Sequence, residues 1–233
     1  MQTVILAGGL GTRLRSVAPD IPKALVSVAG RPFIEHQFAL LRRHGLTRVL
    51  LCIGHLGEMI VEQVGDGAAY GMQVDYSRED PHQLLGTGGA LLHALPLLEE
   101  SFMVMYGDSY LPTDYRAVVA AFQQAGGKAM MTVYRNEGKW DPSNVRIAGN
   151  RVVFYSKKAK PGEADYIDYG MTLYRRAVLE SWKDAPRPLD LALVQSALVA
   201  EGSMAAFEVH ERFYEVGKPE GLAELNALLE VRP

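Results

Sequence analysis

The sequence predicts an α/β fold built on an open, mostly parallel sheet with helices on both faces. Three observations carry that prediction. Apolar runs of strand length alternate with segments whose apolar residues recur every three or four positions, the first run leads straight into Gly8-Gly9, and the alternation is sustained from Thr3 to Tyr134.

The first strand is Thr3 to Ala7, stopped by Gly8-Gly9. A helix follows over Pro32 to His44, where Ile34, Phe38 and Leu41 make one apolar face and Glu35, Arg42 and Arg43 lie off it. Arg48 to Ile53 is a strand, Leu56 to Val64 a helix and Gln73 to Ser77 a strand. The pattern continues with a helix over Gly89 to Leu98, a strand over Phe102 to Tyr106, a helix over Tyr115 to Gln124 and a strand over Lys128 to Tyr134. Such βαβ units require parallel strands and right-handed crossovers. From Asn144 the rhythm changes to a hairpin, Asn144 to Ile147 and Arg151 to Tyr155, turning at Gly149-Asn150. A polar stretch from Lys157 to Ala164 leads to a strand over Ile167 to Tyr174 and helices near Leu189 to Ala200 and Pro219 to Leu229. No Pro/Gly/Ser-rich linker divides the chain, so a single domain, 1–233, is expected, with halves 1–135 and 136–233.

With a formal net charge of -3, the chain has no overall field to hold a nucleic acid or an anionic membrane. Any anionic ligand must be held by local charges. The one cysteine, Cys52, sits in the run Val49-Leu50-Leu51-Cys52-Ile53 and is expected to be a buried structural thiol. No signal-peptide pattern opens the sequence and no apolar run has membrane-spanning length, so a cytoplasmic location is expected. The six histidines lack metal-ligand spacing, and Ser109 and Ser143 lack the Gly-x-Ser-x-Gly elbow of a hydrolase.

The first strand runs into Leu6-Ala7-Gly8-Gly9-Leu10-Gly11-Thr12-Arg13-Leu14. Glycines at the carboxyl end of strand one are where an open α/β sheet takes its ligand, since backbone can approach a phosphate closely there. Arg13 adds a fork of donors for phosphate oxygens. A plain structural turn would also account for the loop. Its spelling excludes two better-known glycine loops: Gly-Lys-Ser/Thr is missing, and Leu14 stands where a dinucleotide fingerprint needs its third glycine. Downstream, Pro22 holds its neighbour extended and so directs Lys23, a cation able to offset triphosphate charge.

Gly8-Gly9-Leu10-Gly11-Thr12-Arg13-Leu14 followed by Pro22-Lys23 resembles the signature of the sugar-1-phosphate nucleotidyltransferase family, and three further landmarks extend the resemblance along nearly the whole chain. They are Leu85-Gly86-Thr87-Gly88-Gly89-Ala90, Met103-Val104-Met105-Tyr106-Gly107-Asp108-Ser109 and Phe213-Tyr214-Glu215-Val216-Gly217-Lys218-Pro219-Glu220. The resemblance implies a nucleotide-diphospho-sugar transferase fold, Rossmann-like and GT-A-like. It also implies an enzyme that joins a nucleoside triphosphate to a sugar 1-phosphate and releases pyrophosphate, with a product that feeds cell-surface polysaccharide synthesis.

Carried over residue by residue, Arg13, Lys23 and Asp108 are catalytic. Leu6, Ala7, Gly8, Gly9, Gly11, Thr12, Arg13, Lys23, Gly86, Thr87, Gly88 and Gly107 bind the nucleotide, with bare glycines at 86–89 leaving free amides for the base. Gly88, Asn144, Lys157, Asp168 and Gly170 bind the sugar phosphate. Asp108 and Glu215 hold Mg²⁺. Glu215 departs from the aspartate usual in the family, and Tyr155-Ser156-Lys157-Lys158 lacks the glutamate of the family's Glu-Lys pair. Trp140 to Val145 is expected to form part of the sugar pocket wall. The partners implied are a nucleoside triphosphate and a sugar 1-phosphate, with a slight lean to GTP and a manno-configured hexose or heptose. UTP is the alternative, and a catalytically silent sensor of sugar nucleotides or a nucleotide-dependent oxidoreductase are readings from other classes. The terminal helix, with Leu222, Leu225 and Leu229 on one face, is expected to pack on its own sheet or on a second copy in a homo-oligomer.

Overall fold

The computed structural model describes residues 1–11, 14 and 20–231. In chain order the elements are β1 (Gln2–Leu6), β2 (Ser27–Val28), β3 (Arg31–Pro32), α1 (Phe33–Arg43), β4 (Arg48–Ile53), α2 (Gly57–Val64), β5 (Gln73–Arg78), α3 (Gly86–His93), β6 (Ser101–Tyr106) and β7 (Ser109–Tyr110). There follow α4 (Tyr115–Ala125), β8 (Ala129–Arg135), β9 (Val145–Ala148), β10 (Arg151–Tyr155), β11 (Tyr166–Arg175), α5 (Arg176–Glu180), α6 (Leu191–Ala200), β12 (Met204–Val209), β13 (Tyr214–Glu215) and α7 (Pro219–Glu230). The expected α/β alternation is therefore present. The helix expected over Gly89 to Leu98 begins earlier, at Gly86, and stops at His93, because Pro96 cannot continue an α-helical ladder and a short 3-10 turn over Leu95–Leu97 replaces it.

The chain forms two compact units, neither of them continuous in sequence nor equal to the halves 1–135 and 136–233. One holds the described residues of 2–84, 105–112 and 213–233; the other holds Met1, 85–104 and 113–212.

In the first unit the strands run β5-β4-β1, all parallel, with Thr3 opposite Val49 and Val49 opposite Val74. Residues Val49 to Ile53 are buried almost continuously, as strands covered on two sides must be. The apolar face of α1 is buried at Ile34, Phe38 and Leu41. Cys52 is buried too, and burial pushes its thiol pKa well above the ordinary range, with the charge of Glu79 acting in the same direction. The thiol is therefore a packing group, as expected. Helix α7 belongs to this unit because Leu222 and Leu225 are buried with Leu14, Val26, Val28, Phe33 and Val216, while Leu229 packs at the edge. Of the two homes expected for this face, it takes the one in its own chain.

In the second unit the strand order is β6-β11-β8-β12-β10-β9. Here the ladder is mixed. Strand β12 runs parallel to β8, whereas β11 with β8, β10 with β12 and β10 with β9 are antiparallel. The hairpin turns at 149–150 as the sequence predicts, with Arg151 opposite Ala148. Among the described residues no helix is long and apolar enough to cross a membrane.

Candidate active site

In the first unit the site is set by the turn that follows β6. The Gly107 amide donates to the Leu6 carbonyl at 2.9 Å, and a Cβ on Gly107 would lie 2.9 Å from that oxygen and 3.0 Å from the Ala7 Cβ. Only glycine lets the turn close so tightly on the end of β1. Asp108 comes next. Its carbonyl accepts the Val216 amide at 2.9 Å, and β7 pairs with β13 so that Ser109 faces Glu215. The turn is gripped from beneath by Gln37, a buried side chain of α1 whose Nε2 donates to the carbonyls of Tyr106 and Ser109, each at 2.9 Å. Gln37 was missed in the sequence, although one signal was there: a polar residue between Ile34 and Phe38 on the apolar face of a helix.

Lys23 opens a single 3-10 turn after Pro22, whose backbone is extended at φ -63° and ψ 143°. The lysine stem passes close to the first loop, with its Cγ 3.7 Å from where a Gly11 Cβ would stand, and its Nζ donates to Asp108 Oδ2 at 2.7 Å. Glycine loop, lysine and aspartate are thus brought together, as expected. Thr12 and Arg13 lie outside the described residues. Leu14 is buried in the core, at 1% exposure. Glu215 is exposed and lies on the same two-stranded ribbon as Ser109, one position on from Asp108. Among the described residues no three His, Cys, Asp or Glu side chains converge to form a metal cage.

The second unit carries the other group of predicted residues. Asn144 Oδ1 accepts the Asp168 amide at 2.8 Å, and an Asp168 carboxylate oxygen accepts the Gly170 amide at 3.0 Å. The pairing of β11 with β8 slips between Asp168 and Thr172, and Gly170 has φ +92°. Such irregularities in a strand re-aim a side chain and are common beside sites. Burial pushes the Asp168 carboxyl up to about 6, against the lowering effects of the Gly170 amide, the Lys157 charge and the Gln195 side chain. An acid raised by its surroundings beside a specific cation is a mark of functional sites. Lys157 donates to both carboxylate oxygens of Asp190, at 2.8 and 2.7 Å. Asp190 was not predicted.

One expectation is corrected here. The amides of Gly88 and Gly89 are not free to read a base, because both donate to the Leu189 carbonyl, at 2.8 and 3.1 Å, while the Leu189 amide donates to Leu85. The glycines serve packing: at Gly86, with φ +76°, a Cβ would lie 2.5 Å from the Leu189 oxygen. A second expectation is refined. Trp140, with the Arg212 guanidinium 3.5 Å over its ring, lines a groove of about 660 Å³ with Arg135, Asp141, Ser143, Lys160 and Asp165. Lys157 and Asp168 are not among the residues lining that groove.

The chain is 40% identical over 126 residues to an N-acetylmuramate alpha-1-phosphate uridylyltransferase of Neisseria meningitidis, a match covering 54% of this chain and 53% of that protein. It is 31% identical over 183 residues to a D-glycero-alpha-D-manno-heptose 1-phosphate guanylyltransferase of Aneurinibacillus thermoaerophilus, covering 77% of each. The chain thus spans about half the length of the first of these relatives. The crystal structure of HddC from Yersinia pseudotuberculosis, complexed with GMP-PN, superposes with a TM-score of 0.79 at 26% identity over 98% of this chain and 99% of that one. The description "Nucleotidyl transferase" belongs to the family whose profile matches residues 2–231, and with that span the chain belongs to the nucleotidyl transferase family.

Proposed function

We propose that the protein is a sugar-1-phosphate nucleotidyltransferase that takes GTP and a manno-configured hexose or heptose 1-phosphate. The observation that carries the reading is Lys23 held at 2.7 Å from Asp108, with its stem against the glycine loop. A cation and a carboxylate beside a glycine loop suit the handling of a triphosphate with its metal.

An oxygen of the sugar 1-phosphate attacks the α-phosphorus in line, and pyrophosphate leaves. An already ionised phosphate needs no general base, so the protein's task is to align two polyanions and offset their repulsion. Lys23 and Arg13 serve the triphosphate, Lys157 serves the sugar phosphate, and Asp168 with Asn144 accepts or donates hydrogen bonds at sugar hydroxyls. Asp108 would hold a magnesium ion, with Glu215, which pairs with the neighbouring Ser109, as its second carboxylate. Among the described residues no third carboxylate, histidine or cysteine is gathered there, so the protein would supply one or two carboxylates and leave the rest of the shell to water and substrate, as suits Mg²⁺. When bound, the ion neutralises and orients phosphate oxygens. The protein is read as a cytoplasmic enzyme whose product is consumed in building cell-surface polysaccharide.

GTP is supported by the guanylyltransferase relative, which covers 77% of this chain, and by the GMP-PN complex of the structural neighbour. The 40% identical uridylyltransferase favours UTP as the second reading. Pyrophosphate release with Mg²⁺, crossing the nucleoside triphosphates against hexose and heptose 1-phosphates, tests both. Release requiring GTP and a manno-configured sugar is expected. Release with UTP alone selects the second reading, and triphosphate binding without release from any pair points to a silent sensor.

A further inference from the structure

Asp190 joins two of the predicted substrate-contacting segments. Its carboxylate accepts the Ala192 amide at 3.0 Å, capping α6, and it accepts Thr87 Oγ1 at 3.3 Å and the Lys157 ammonium at 2.7 and 2.8 Å. Thr87 Oγ1 in turn accepts the Leu191 amide at 2.9 Å. The neighbouring Leu189 holds Leu85, Gly88 and Gly89 through its backbone. The short stretch 189–191 therefore fixes both the start of α3 and the head of Lys157.

The ion pair is not there for stability. Its side chains are 50% and 48% exposed, and pairs so exposed contribute little to folding. The cap does not explain it either, since a cap needs one neutral oxygen and asparagine provides that as well as aspartate does. What the pair does is restrict an ammonium that otherwise swings on four rotatable bonds. Two of the three Lys157 donors are then committed to Asp190, and the third remains for an anion. Burial opposes ionisation of Asp190 but is outweighed by the Lys157 hydrogen bond, the Ala192 amide and the Lys157 charge, so its carboxyl sits below the ordinary range and stays charged.

We infer that Asp190 is a positioning residue for the reaction: it aims Lys157 at the phosphate of the sugar 1-phosphate and ties that aim to the start of α3 through Thr87. The inference rests on Lys157 as the residue that grips the sugar phosphate.

Steady-state pyrophosphate release tests it, with the sugar 1-phosphate that the panel turns over as the varied substrate and with Asp190→Asn, Asp190→Glu, Lys157→Met and the double variant Asp190→Asn/Lys157→Met. Asp190→Asn keeps the cap and is expected to raise KM for the sugar 1-phosphate about tenfold, the worth of one charge-assisted hydrogen bond, with a smaller change in kcat and none in KM for the nucleotide. Asp190→Glu restores part of that loss. Lys157→Met raises the same KM, and the double variant is no worse than Lys157→Met alone, because both changes remove one device. An unchanged KM in Asp190→Asn, alongside a raised KM in Lys157→Met, overturns the inference alone. An unchanged KM in Lys157→Met overturns the reading of Lys157 and the inference with it. A double variant whose losses multiply also overturns it.

Discussion

Lys23 Nζ stands 2.7 Å from Asp108 Oδ2 although the two residues are 85 positions apart, and both side chains are largely covered, at 20% and 23% exposure. The pair joins the 3-10 turn after Pro22 to the turn after β6. Each group offsets the other's charge at the turn after β6. On the proposed function, a triphosphate with its magnesium would offer each of them a partner of the right sign, and the pair would be exchanged without leaving a bare charge behind.

Asp108→Asn keeps the shape of the turn and a hydrogen-bond acceptor for Lys23 but removes the negative charge. The expected result is a folded protein that loses about 1–2 kcal/mol of unfolding free energy in denaturant titration, the scale of one weakened charge-assisted hydrogen bond. Magnesium-dependent pyrophosphate release falls by about a hundredfold or more, the scale of losing one preorganised electrostatic element. Turnover that survives with its ordinary magnesium dependence removes Asp108 from the metal.

The glycines of the two landmark loops include some that packing requires, such as Gly86, and others, such as Gly9, that it does not. At Gly86 an added Cβ meets the Leu189 carbonyl at 2.5 Å and the backbone is in the left-handed region, so Gly86→Ala is expected to cost about 2 kcal/mol or more. At Gly9, among the described residues, nothing lies within 4 Å of an added Cβ. Gly9→Ala is therefore expected to leave the unfolding midpoint nearly unchanged while weakening nucleotide binding about tenfold, as an added methyl would if a phosphate must approach the backbone there. Thermal unfolding and calorimetric titration of GTP separate the two effects. A Gly9→Ala protein that binds GTP like the parent shows that the ligand keeps clear of that residue.

The contrast shows what could be read from the sequence. Local periodicity carried β1, α1, β4, α2 and β5 to within a residue or two, because each is decided by its own apolar spacing and its flanking glycines or prolines. Strand β12, Met204-Ala205-Ala206-Phe207-Glu208-Val209, was missed because two alanines and a glutamate give it little strand character, and only its parallel pairing with β8 makes it one. The division into units was not legible either. It depends on where α7 buries Leu222 and Leu225, and no local feature says that their neighbours are Leu14, Val26 and Phe33. The site shows the same limit. Lys23 and Asp108 were found through motifs, while Gln37 and Asp190 act through contacts 33 to 103 residues away that no spacing rule reports. The glycines at 86–89 were found for one physical reason and are held by another, the Leu189 backbone.

Asp168 allows that local arrangement to be tested through pH. Its carboxyl is raised from an ordinary value near 4 to about 6, first by burial, so the folded protein holds a proton there that the unfolded chain has already lost between those two values. Stability from this residue is therefore complete below about pH 4 and is lost as pH rises through about 6. The full difference corresponds to at most about 3 kcal/mol, and less where the residue keeps its contact with solvent. Asp168→Asn retains an oxygen for the Gly170 amide but has nothing to ionise. Relative to the parent, it is expected to gain stability between pH 4 and pH 8, by about 1–3 kcal/mol, and to lose affinity for the sugar 1-phosphate over the same range. Denaturant unfolding of both proteins at the two pH values makes the measurement. A difference in stability that does not change with pH places the Asp168 carboxylate in water and removes burial as the cause of its raised pKa.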